Sequence, residues 1–367
     1  MGYVSYKIGR AYHVARNLRG SGKLHDLSYP EMVRRLIKLR RDDLFTIDEI
    51  FLRGLLDLEP TKQGVEDVMS KTMTLRLQRR LNPEAAEALT EDKSVFYSHC
   101  RACGLPAPEL YAVFGRRLGW TAQGEALRCE EVWAGFLKAL HSDEIVIKPS
   151  AGVYGRGIRL LRRDGEQWID QNGHRLSPRD LVALLRRDEH YDSFVIQQWI
   201  HSHPALRILS NTDYLQTVRI VTAFSADGEV ELLIGNFKII AGNASTDNYA
   251  AGRTGNLMAD ILLDSGRLGV VMGLGEGGLY QKEHAIHPIT GRRFAEFELP
   301  YWRESCELAR RAARHFLPLL TVGWDIAVTP EGPLLIEGNA SWDPHNAHRQ
   351  MRVFRDYARR MFGADAA

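Results

Sequence analysis

The sequence predicts an α+β protein in which antiparallel sheets follow a mainly helical amino-terminal region. Apolar runs joined by short glycine-containing turns indicate β-hairpins in the carboxyl-terminal half, at residues 217–240 and 323–339. Charged segments with apolar residues at helical spacing dominate residues 1–90. Strands and helices do not alternate regularly, which argues against the parallel sheet of a βαβ protein.

The amino-terminal region, residues 1–90, is predicted to form a separate helical unit. Its segment EMVRRLIKLRRDDLF, residues 31–45, carries apolar residues at the spacing of one helix face. Thr46 and Glu49 have the spacing of a capping box ahead of FLRGLLDL, so a second helix is expected to begin there.

From about Val95 the pattern changes to short apolar runs separated by glycine, proline and asparagine, which is typical of strands and turns. The predicted strands are ELYAVF, EIVIKP, SFVIQQWI, QTVRIVTAF, EVELLIGNFKII, WDIAVT and PLLIEGN. The predicted helices are DKSVFYSHCRACG, CEEVWAGFLKALHS, PRDLVALLRRDE and PYWRESCELARRAARHFLPLL. We expect two lobes after the helical unit, at residues 91–200 and 201–362.

Composition excludes several classes of function. The chain has 367 residues, of which 44% are hydrophobic, which is enough to bury a large core in two or three units. Its 48 basic and 46 acidic residues give a net charge of +2, so nothing draws the whole chain to nucleic acid or to a membrane. No apolar run approaches the roughly 18 residues of a membrane span, and the first residues lack the apolar core of a secretion signal. The expected location is the cytoplasm.

Cysteine and histidine pairs do not complete a metal site. Cys100 and Cys103 lie in a predicted helix without a second pair at zinc-binding spacing, so reduced thiols are expected. His201 and His203 alternate in a strand-to-loop segment that offers no further ligands.

A glycine-rich segment, residues 145–161, joins two predicted strands. Lys148 ends the first strand, and Arg156 lies inside the loop. Glycines let a backbone approach an anion closely, amide groups can point at its oxygens, and a lysine supplies a full charge. The alternative is an ordinary hairpin turn, and the spacing matches neither a Walker loop nor a dinucleotide-binding loop.

Two acidic side chains and an amide converge in the last predicted hairpin. Glu337 and Asn339 are two residues apart on one strand and share a face, and the hairpin places Asp325 beside them. Oxygen ligands of this kind suit Mg²⁺, which usually keeps several waters and bridges substrate phosphates. The alternative is a polar strand end that faces solvent, but the apolar run before Glu337 favours the metal site.

The two sites, in this order, resemble the motifs of the ATP-grasp superfamily. The resemblance includes Lys148 in its glycine-rich segment, the QQWI segment, the closing D…E-x-N pattern, Asp92-Lys93 before a helix, and the GLPAP stretch at residues 104–108. The segments TVRIVTAF, TDNYAAGRTGN, HPITG and GWDIAVTPEGPLLIEGN most resemble the sugar-transfer-associated ATP-grasp or α-L-glutamate ligase-related proteins. The match covers roughly residues 91–350.

The resemblance implies two α+β lobes that hold ATP between antiparallel sheets. The residues it assigns to the nucleotide are Lys93, Lys148, Ser150, Gly152, Gly155, Gly157, Gln197, Gln198, Trp199 and Ile200. Each has an ordinary alternative: Lys93 could be solvated at a helix start, the two glutamines could be plain strand residues, and Trp199 could belong to the core.

The resemblance also implies residues that act on the transferred phosphate. Arg219 and Lys238 would lie over it, and their positions inside apolar strands require nearby anions because lone buried charges are costly. Arg253 and Asn256, with Asp247 and Asn248, belong to a glycine- and asparagine-rich loop that could order on substrate or simply be solvated. The implied cofactors are ATP and Mg²⁺, with the metal held by Asp325, Glu337 and Asn339.

The implied reaction joins a small-molecule carboxylate to an amine through an acyl-phosphate, with release of ADP and phosphate. A kinase that phosphorylates a hydroxyl and a non-catalytic nucleotide-binding protein remain open alternatives. The segment after the metal motif is the expected acceptor site, with the candidates Trp342, Asp343, His345, His348 and Arg349. The sequence identifies neither substrate, nor the oligomeric state, nor the role of the helical amino-terminal unit.

Overall fold

The computed structural model of the chain describes residues 28–41, 44–56, 69–152, 155–242, 245–275, 281–343 and 348–363. Its helices are α1 (Tyr29–Arg41), α2 (Ile47–Leu52), α3 (Lys71–Leu81), α4 (Ala88–Glu91), α5 (Lys93–Ala102), α6 (Glu130–Ala139), α7 (Pro178–Arg186), α8 (Pro204–Ser210), α9 (Trp302–His315) and α10 (His348–Phe362). Among these described residues, no helix has the length and apolar character that a membrane crossing requires.

The strands form two sheets whose paired neighbours are all antiparallel. The first sheet contains β1 (Leu110–Gly115), β2 (Gly119–Thr121), β3 (Ala126–Leu127), β4 (Glu144–Pro149), β5 (Arg159–Asp164), β6 (Gln167–Asp170), β7 (Arg175–Leu176) and β8 (Ser193–Gln198). The second sheet contains β9 (Thr217–Phe224), β10 (Val230–Ile239), β11 (Leu257–Ile261), β12 (Leu268–Leu274), β13 (Gln281–Glu283), β14 (Thr321–Thr329) and β15 (Gly332–Asn339).

The first sheet has the order β3-β2-β1-β8-β4-β5-β6-β7. One of its faces packs on α6 and α7 through an apolar cluster that includes Trp133, Leu181 and Ile147. Because side chains alternate along a strand, Lys148 lies on the other face, which turns toward the second sheet. The sheet therefore buries one face in its own core and presents the other to the site.

The second sheet has the order β13-β12-β11-β10-β9-β14-β15. Helix α9 covers one face through residues such as Ala309 and Ala312, and α3 and α10 cover part of the other around Val221 and Phe354. Strands β9 and β14 are buried at every residue, which explains their nearly continuous apolar sequences. The charged exceptions on these strands are the site residues described below.

The helical amino-terminal unit is attached to the second sheet. Helices α1 and α2 share a small apolar core, and the capping box at Thr46 and Glu49 is formed. Gln78 of α3 donates to the Trp342 carbonyl at 2.8 Å, and Asn82 donates to the Thr321 carbonyl at 2.8 Å. These bonds fix the helices beside the end of β15.

Both predicted hairpins are present as β9–β10 and β14–β15, and the glycine-rich segment joins β4 to β5 as expected. The helices predicted around residues 92–104, 129–142, 178–189 and 300–320 also form. The predicted strands did not include β2, β3, β6, β7, β11, β12 and β13. Strands β3 and β7 have only two residues, too few for a measurable periodicity. The sequence also did not indicate α10, whose first residues were interpreted only as an acceptor segment.

Candidate active site

A cleft of about 960 Å³ lies between the two sheets and is lined by both of them. Its polarity changes from one end to the other. The outer end is lined by apolar side chains of the first sheet, including Val146, Ile158 and Leu160, whereas the middle collects lysines, an arginine and carboxylates. Such an arrangement suits a ligand with an apolar part and a strongly anionic part.

Two lysines meet at the middle of the cleft from different elements. Lys93 begins α5 and its ammonium donates to the Gly152 carbonyl at 3.0 Å. Lys148 is the second-last residue of β4, is buried, and donates to the Tyr97 hydroxyl at 2.7 Å. Burial, together with the nearby charge of Lys93, lowers the pKa of Lys148 to about 7. An anion bound here would favour the charged form of Lys148.

The sequence did not indicate that Tyr97 takes part in the site. Its hydroxyl donates to the Ile336 carbonyl at 2.6 Å while it accepts from Lys148, so α5 joins β4 to β15. Burial raises the pKa of this hydroxyl well above its ordinary value, which keeps it neutral and able to donate. Tyr97 therefore positions the Lys148 ammonium next to the metal-motif strand.

Three charged side chains form a buried cluster on the second sheet. Arg219 makes a two-point contact with Asp325, with Nε to Oδ1 at 2.8 Å and an Nη2 to Oδ2 distance of 2.7 Å. Lys238 also donates to Oδ2 at 2.8 Å. Burial alone would raise the pKa of Asp325, but the two adjacent cations hold it well below its usual range. Gly323 makes room mainly for Trp342, since a Cβ there would lie 2.8 Å from the Trp342 Cβ, and it would also lie 3.3 Å from the Arg219 Cδ.

The predicted metal residues do lie on adjacent strands. Asp325 is directly opposite Glu337, and Gly323 is opposite Asn339, whose amide donates to the Gly323 carbonyl at 3.2 Å. Glu337 lies 3.7 Å from the Lys93 ammonium. Both oxygens of Asp325 are engaged by cations in this state. Across the described part of the chain, no three histidine, cysteine or acidic side chains cluster as a metal site of their own.

The glycine-rich loop lies beside Lys93 and contributes Gly152 and Gly155 to the cleft lining. Gly157 has φ +76°, and a Cβ there would lie 2.9 Å from Pro149, so this turn requires a glycine. The Ser150 hydroxyl is buried and bonded to that of Ser193 at 2.8 Å, which fixes the start of the loop rather than the cleft surface.

The QQWI segment lies at the apolar end of the cleft. Gln197 is opposite Val146, on the cleft face, and its buried Oε1 has no hydrogen-bond partner among the described residues. Gln198 also lines this end of the cleft but is exposed, and its Oε1 accepts from the Glu109 amide at 3.2 Å. Trp199 is partly exposed and lines the cleft together with Ile200, so its interpretation as a core residue is wrong.

The loop from residue 245 to residue 256 borders the cleft, but not all of its predicted site residues line it. Asn256 is fully buried, does not line the cleft, and donates to the Thr246 and Asn248 carbonyls at 2.9 Å. It therefore holds the loop in shape instead of reaching the centre. Asp247 lines the cleft and accepts from the Thr217 amide at 2.8 Å.

The far end of the cleft is closed by the amino-terminal helices, which the sequence left without a role. Arg53, Lys71 and Arg79 line it. The ammonium of Lys71 lies 2.5 Å from the carboxylate of Asp343, and Arg253 contacts Asp48 of α2 at 3.0 Å.

The predicted acceptor residues after the metal motif are placed only in part. Asp343 lines the cleft, whereas Trp342 is buried against α10. His345 and the side chains of His348 and Arg349 lie outside the described residues.

The cysteine and histidine pairs behave as ordinary residues. Cys100 is buried, and the cysteines in the described residues are all free thiols. His201 bonds to Glu144, and His203 accepts from the Ala205 amide at the start of α8.

Two antiparallel sheets that close on a cleft of lysines and carboxylates define the ATP-grasp architecture. A family profile described as sugar-transfer associated ATP-grasp matches residues 72–351. The chain belongs to this family. No curated protein matches it at a significant level.

Solved structures of low identity are also similar to the chain. They include an N5-carboxyaminoimidazole synthetase from Staphylococcus aureus complexed with ADP, with 9% identity, a TM-score of 0.40, and coverage of 76% of this chain and 52% of that one. A D-alanine–D-alanine ligase from Bacillus anthracis has 13% identity, a TM-score of 0.36, and coverage of 69% and 56%. VanG D-Ala:D-Ser ligase from Enterococcus faecalis has 14% identity, a TM-score of 0.38, and coverage of 73% and 57%. The chain spans about half the length of these structures.

Proposed function

We propose that this protein is an ATP- and Mg²⁺-dependent ligase that joins a small-molecule carboxylate to an amine through an acyl-phosphate. The observation that carries the proposal is the charge of the cleft. Lys93, Lys148, Arg219 and Lys238 converge there in buried positions. The carboxylates in direct contact with them are only Asp325 and Glu337 among the described residues, so a polyphosphate would neutralise the excess.

The polarity of the cleft supports one orientation of ATP. The base would occupy the apolar end beside Val146 and Leu160. There the Gln197 Oε1, which has no partner in the described part of the chain, could accept from an amino group. The phosphates would occupy the cationic middle. Lys93 and Lys148 would hold them from the first lobe, and the amide-rich glycine loop would lie over them.

The donor chemistry of β14 and β15 fits Mg²⁺. Asp325, Glu337 and Asn339 offer two carboxylates and an amide oxygen, which are the ligand types that this ion takes beside substrate phosphates. When bound, the ion would neutralise charge on the phosphate oxygens. Asp325 would have to exchange part of its contact with Lys238 for the ion, which would free the Lys238 ammonium for the transferred phosphate.

The reaction requires two displacements. A carboxylate oxygen of the substrate would attack the γ-phosphorus as the bond to the β-phosphate oxygen breaks, giving an acyl-phosphate and ADP. An amine would then attack the acyl carbon and displace phosphate. Arg219 and Lys238 would stabilise charge on the transferred group. Glu91 lines the cleft at an exposed position, and partial desolvation together with the nearby Glu337 raises its pKa, so it is suited to accept the proton of the amine.

The acceptor would enter at the far end, between α2, α3 and Asp343. This end carries both signs of charge, with Arg53, Lys71 and Arg79 facing the acids of the same wall. It therefore suits a polar, charged acceptor better than an apolar one.

The proposal is tested by incubating the full chain with Mg-ATP, pools of amino acids, sugar acids and amines, and hydroxylamine as a trap. Hydroxamate that forms with one carboxylate and is lost in Lys148→Met and Glu337→Gln supports the ligase. Lys138→Met, which removes an exposed partner of Glu166, is the matched control and should retain activity. ADP with a stable phosphorylated product and no hydroxamate would replace the ligase with a kinase, and ATP binding without turnover would leave a nucleotide-binding protein.

A further inference from the structure

Four side chains meet on the rim of the cleft, outside the residues assigned to the phosphates. Glu144 of β4 is paired in register with Arg162 of β5, and Trp199 follows Gln198, the register partner of Ile145. These positions continue the cleft face of the first sheet outward from Val146 and Leu160. His201 completes the set, and we call Glu144, Arg162, Trp199 and His201 the rim cluster.

The four side chains of the rim cluster contact one another in a closed ring. One oxygen of Glu144 lies 2.9 Å from the Arg162 Nε, and the other lies 2.6 Å from the His201 Nε2. The His201 ring is stacked on the Trp199 ring, with centroids 5.7 Å apart and planes at 16°. The Arg162 guanidinium carbon lies 5.0 Å from the centre of the same indole, which is a cation–π distance. Both groups that contact Trp199 are therefore held by Glu144.

Trp199 separates the base end of the cleft from the outside. It lines the cleft itself and also two surface depressions of about 940 and 860 Å³. Leu160 and Arg162 line the larger depression beside it. A change in the plane of this indole would connect the base end of the cleft with these depressions.

The rim cluster contributes little to folding. The side chains of Glu144, Arg162 and His201 are 34%, 58% and 37% exposed, and ion pairs at such exposure add little stability because solvent screens them. Their stronger effect is on orientation. The torsion about the Cβ–ring bond of a tryptophan has broad minima, so a partly exposed indole has no single plane unless its neighbours impose one.

We propose that Glu144 is a positioning residue for the nucleotide base: by holding Arg162 and His201 against Trp199, it fixes the indole as the outer wall of the base pocket. This inference rests on the proposed binding of ATP in the cleft. Preorganising one large side chain removes its ordering cost from the binding step. Loss of the fixed indole plane should therefore raise the Kd for nucleotides about three- to tenfold.

The effect should depend on the base. ADP places a base against Trp199, whereas pyrophosphate occupies only the cationic middle, around Lys93 and Lys148. A general loss of structure would weaken the binding of both ligands. It would not weaken ADP binding while pyrophosphate binding stays unchanged. The ratio of the two dissociation constants is therefore the decisive measurement.

The experiment uses isothermal titration of the full chain with Mg-ADP and with Mg-pyrophosphate. Glu144→Gln and Trp199→Ala should each raise the Kd for ADP about three- to tenfold and leave that for pyrophosphate unchanged. Asp164→Asn is the matched control, because it breaks an exposed ion pair with Arg175 at the edge of the same sheet. Trp199→Phe replaces Trp199→Ala if the alanine variant is unstable.

A double variant distinguishes positioning from an independent role. If Glu144 acts through Trp199, the double variant Glu144→Gln, Trp199→Ala should bind ADP no more weakly than Trp199→Ala alone. Additive losses, or a Glu144→Gln variant with unaltered ADP binding and only lower thermal stability, would overturn the inference. A wild-type chain that binds neither ligand would instead reject the proposed function.

Discussion

Two aspartates, the buried Asp325 and the half-buried Asp260, lie in one row across the second sheet and have opposite electrostatic properties. The register places Asp325, Arg219, Asn236 and Asp260 directly opposite one another on four successive strands. Asp325 contacts two cations, and its pKa lies well below the ordinary range. Asp260 accepts from the Asn236 amide at 3.2 Å, and burial raises its pKa to about 7.

The difference shows that burial does not set the charge of a carboxylate by itself. Removal from water favours the neutral form of both groups, and only Asp325 has charged partners that reverse the effect. A charged aspartate next to cations can serve as a ligand for a metal or a switchable partner for a phosphate-binding lysine. No cation among the described residues contacts Asp260, which lies three strands away, and we assign it no chemical role.

Removal of a cation from Asp325 is expected to have the largest effect on this comparison. Arg219→Met leaves the buried carboxylate with Lys238 alone and should lower the free energy of unfolding by about 3–5 kcal/mol, as for other broken buried pairs. Chemical denaturation at neutral pH measures the loss. The double variant Arg219→Met, Asp325→Asn should recover part of it, and equal losses in both would contradict the coupling.

Lys148 extends the comparison to a cation that contacts the Tyr97 hydroxyl and, within the described residues, no carboxylate. Its ordinary pKa is 10.5 and its pKa in the fold is about 7, so at pH 8 the free protein holds it mostly neutral. Bound phosphates raise that pKa, so Mg-ADP binding at pH 8 should take up a proton and weaken as the pH rises from 7 toward 10.5. Calorimetry in buffers of different ionisation enthalpy measures the uptake.

In Lys148→Met the proton uptake should disappear, and ADP should bind about 10- to 100-fold more weakly, the range for a lost bond to a charged group. Lys138→Met, whose lysine pairs with Glu166 at the surface, is the matched control. Undiminished proton uptake in Lys148→Met would assign the titration to another group.

Asp260→Asn should stabilise the protein at neutral pH. Between pH 3.8, the ordinary value, and about 7, the unfolded aspartate loses its proton while the folded one keeps it, so wild-type stability falls as the pH rises. The amide removes this dependence and should gain about 1 kcal/mol at pH 7.5. Thermal unfolding from pH 4 to 8 tests the window, and identical profiles for the two proteins would show that Asp260 is not the titrating group.

The smallest effect is expected at the exposed pair of Arg253 and Asp48. Their side chains are 56% and 59% exposed, so Arg253→Ala should change the free energy of unfolding by no more than about 0.5 kcal/mol. A double-mutant cycle with Asp48→Ala measures the coupling. A coupling energy near that of the Arg219–Asp325 pair would mean that burial contributes less to the strength of these ion pairs than we infer.

Much of the fold was predictable because its strands are long and apolar. The hairpins β9–β10 and β14–β15 have periodic sequences with glycine turns, and their register places Asp325 opposite Glu337 as predicted. Lys148 was recognisable for the same reason, since it stands at the end of an apolar strand that leads into glycines. Local pattern and tertiary position agree at these residues.

The remaining features depend on tertiary contacts between distant segments. Tyr97 resembles any other helix residue until α5 packs between β4 and β15. Asn256 was predicted to lie at the centre of the site because its loop is polar, but its side-chain amide donates to backbone carbonyls of the loop. The cleft wall formed by Arg53 and Lys71 could not be predicted, because nothing local indicates which surface of the domain a helical unit will cover.

The attachment of α3 has a consequence for sequence divergence. Gln78 and Asn82 bond to main-chain atoms of Thr321, Ala340 and Trp342. Bonds to main-chain atoms do not specify the side chains of the partner segment. Ser341, which lines the cleft, can therefore change without loss of these bonds, whereas a change of Asp343 would also remove the ion pair with Lys71 at the start of α3.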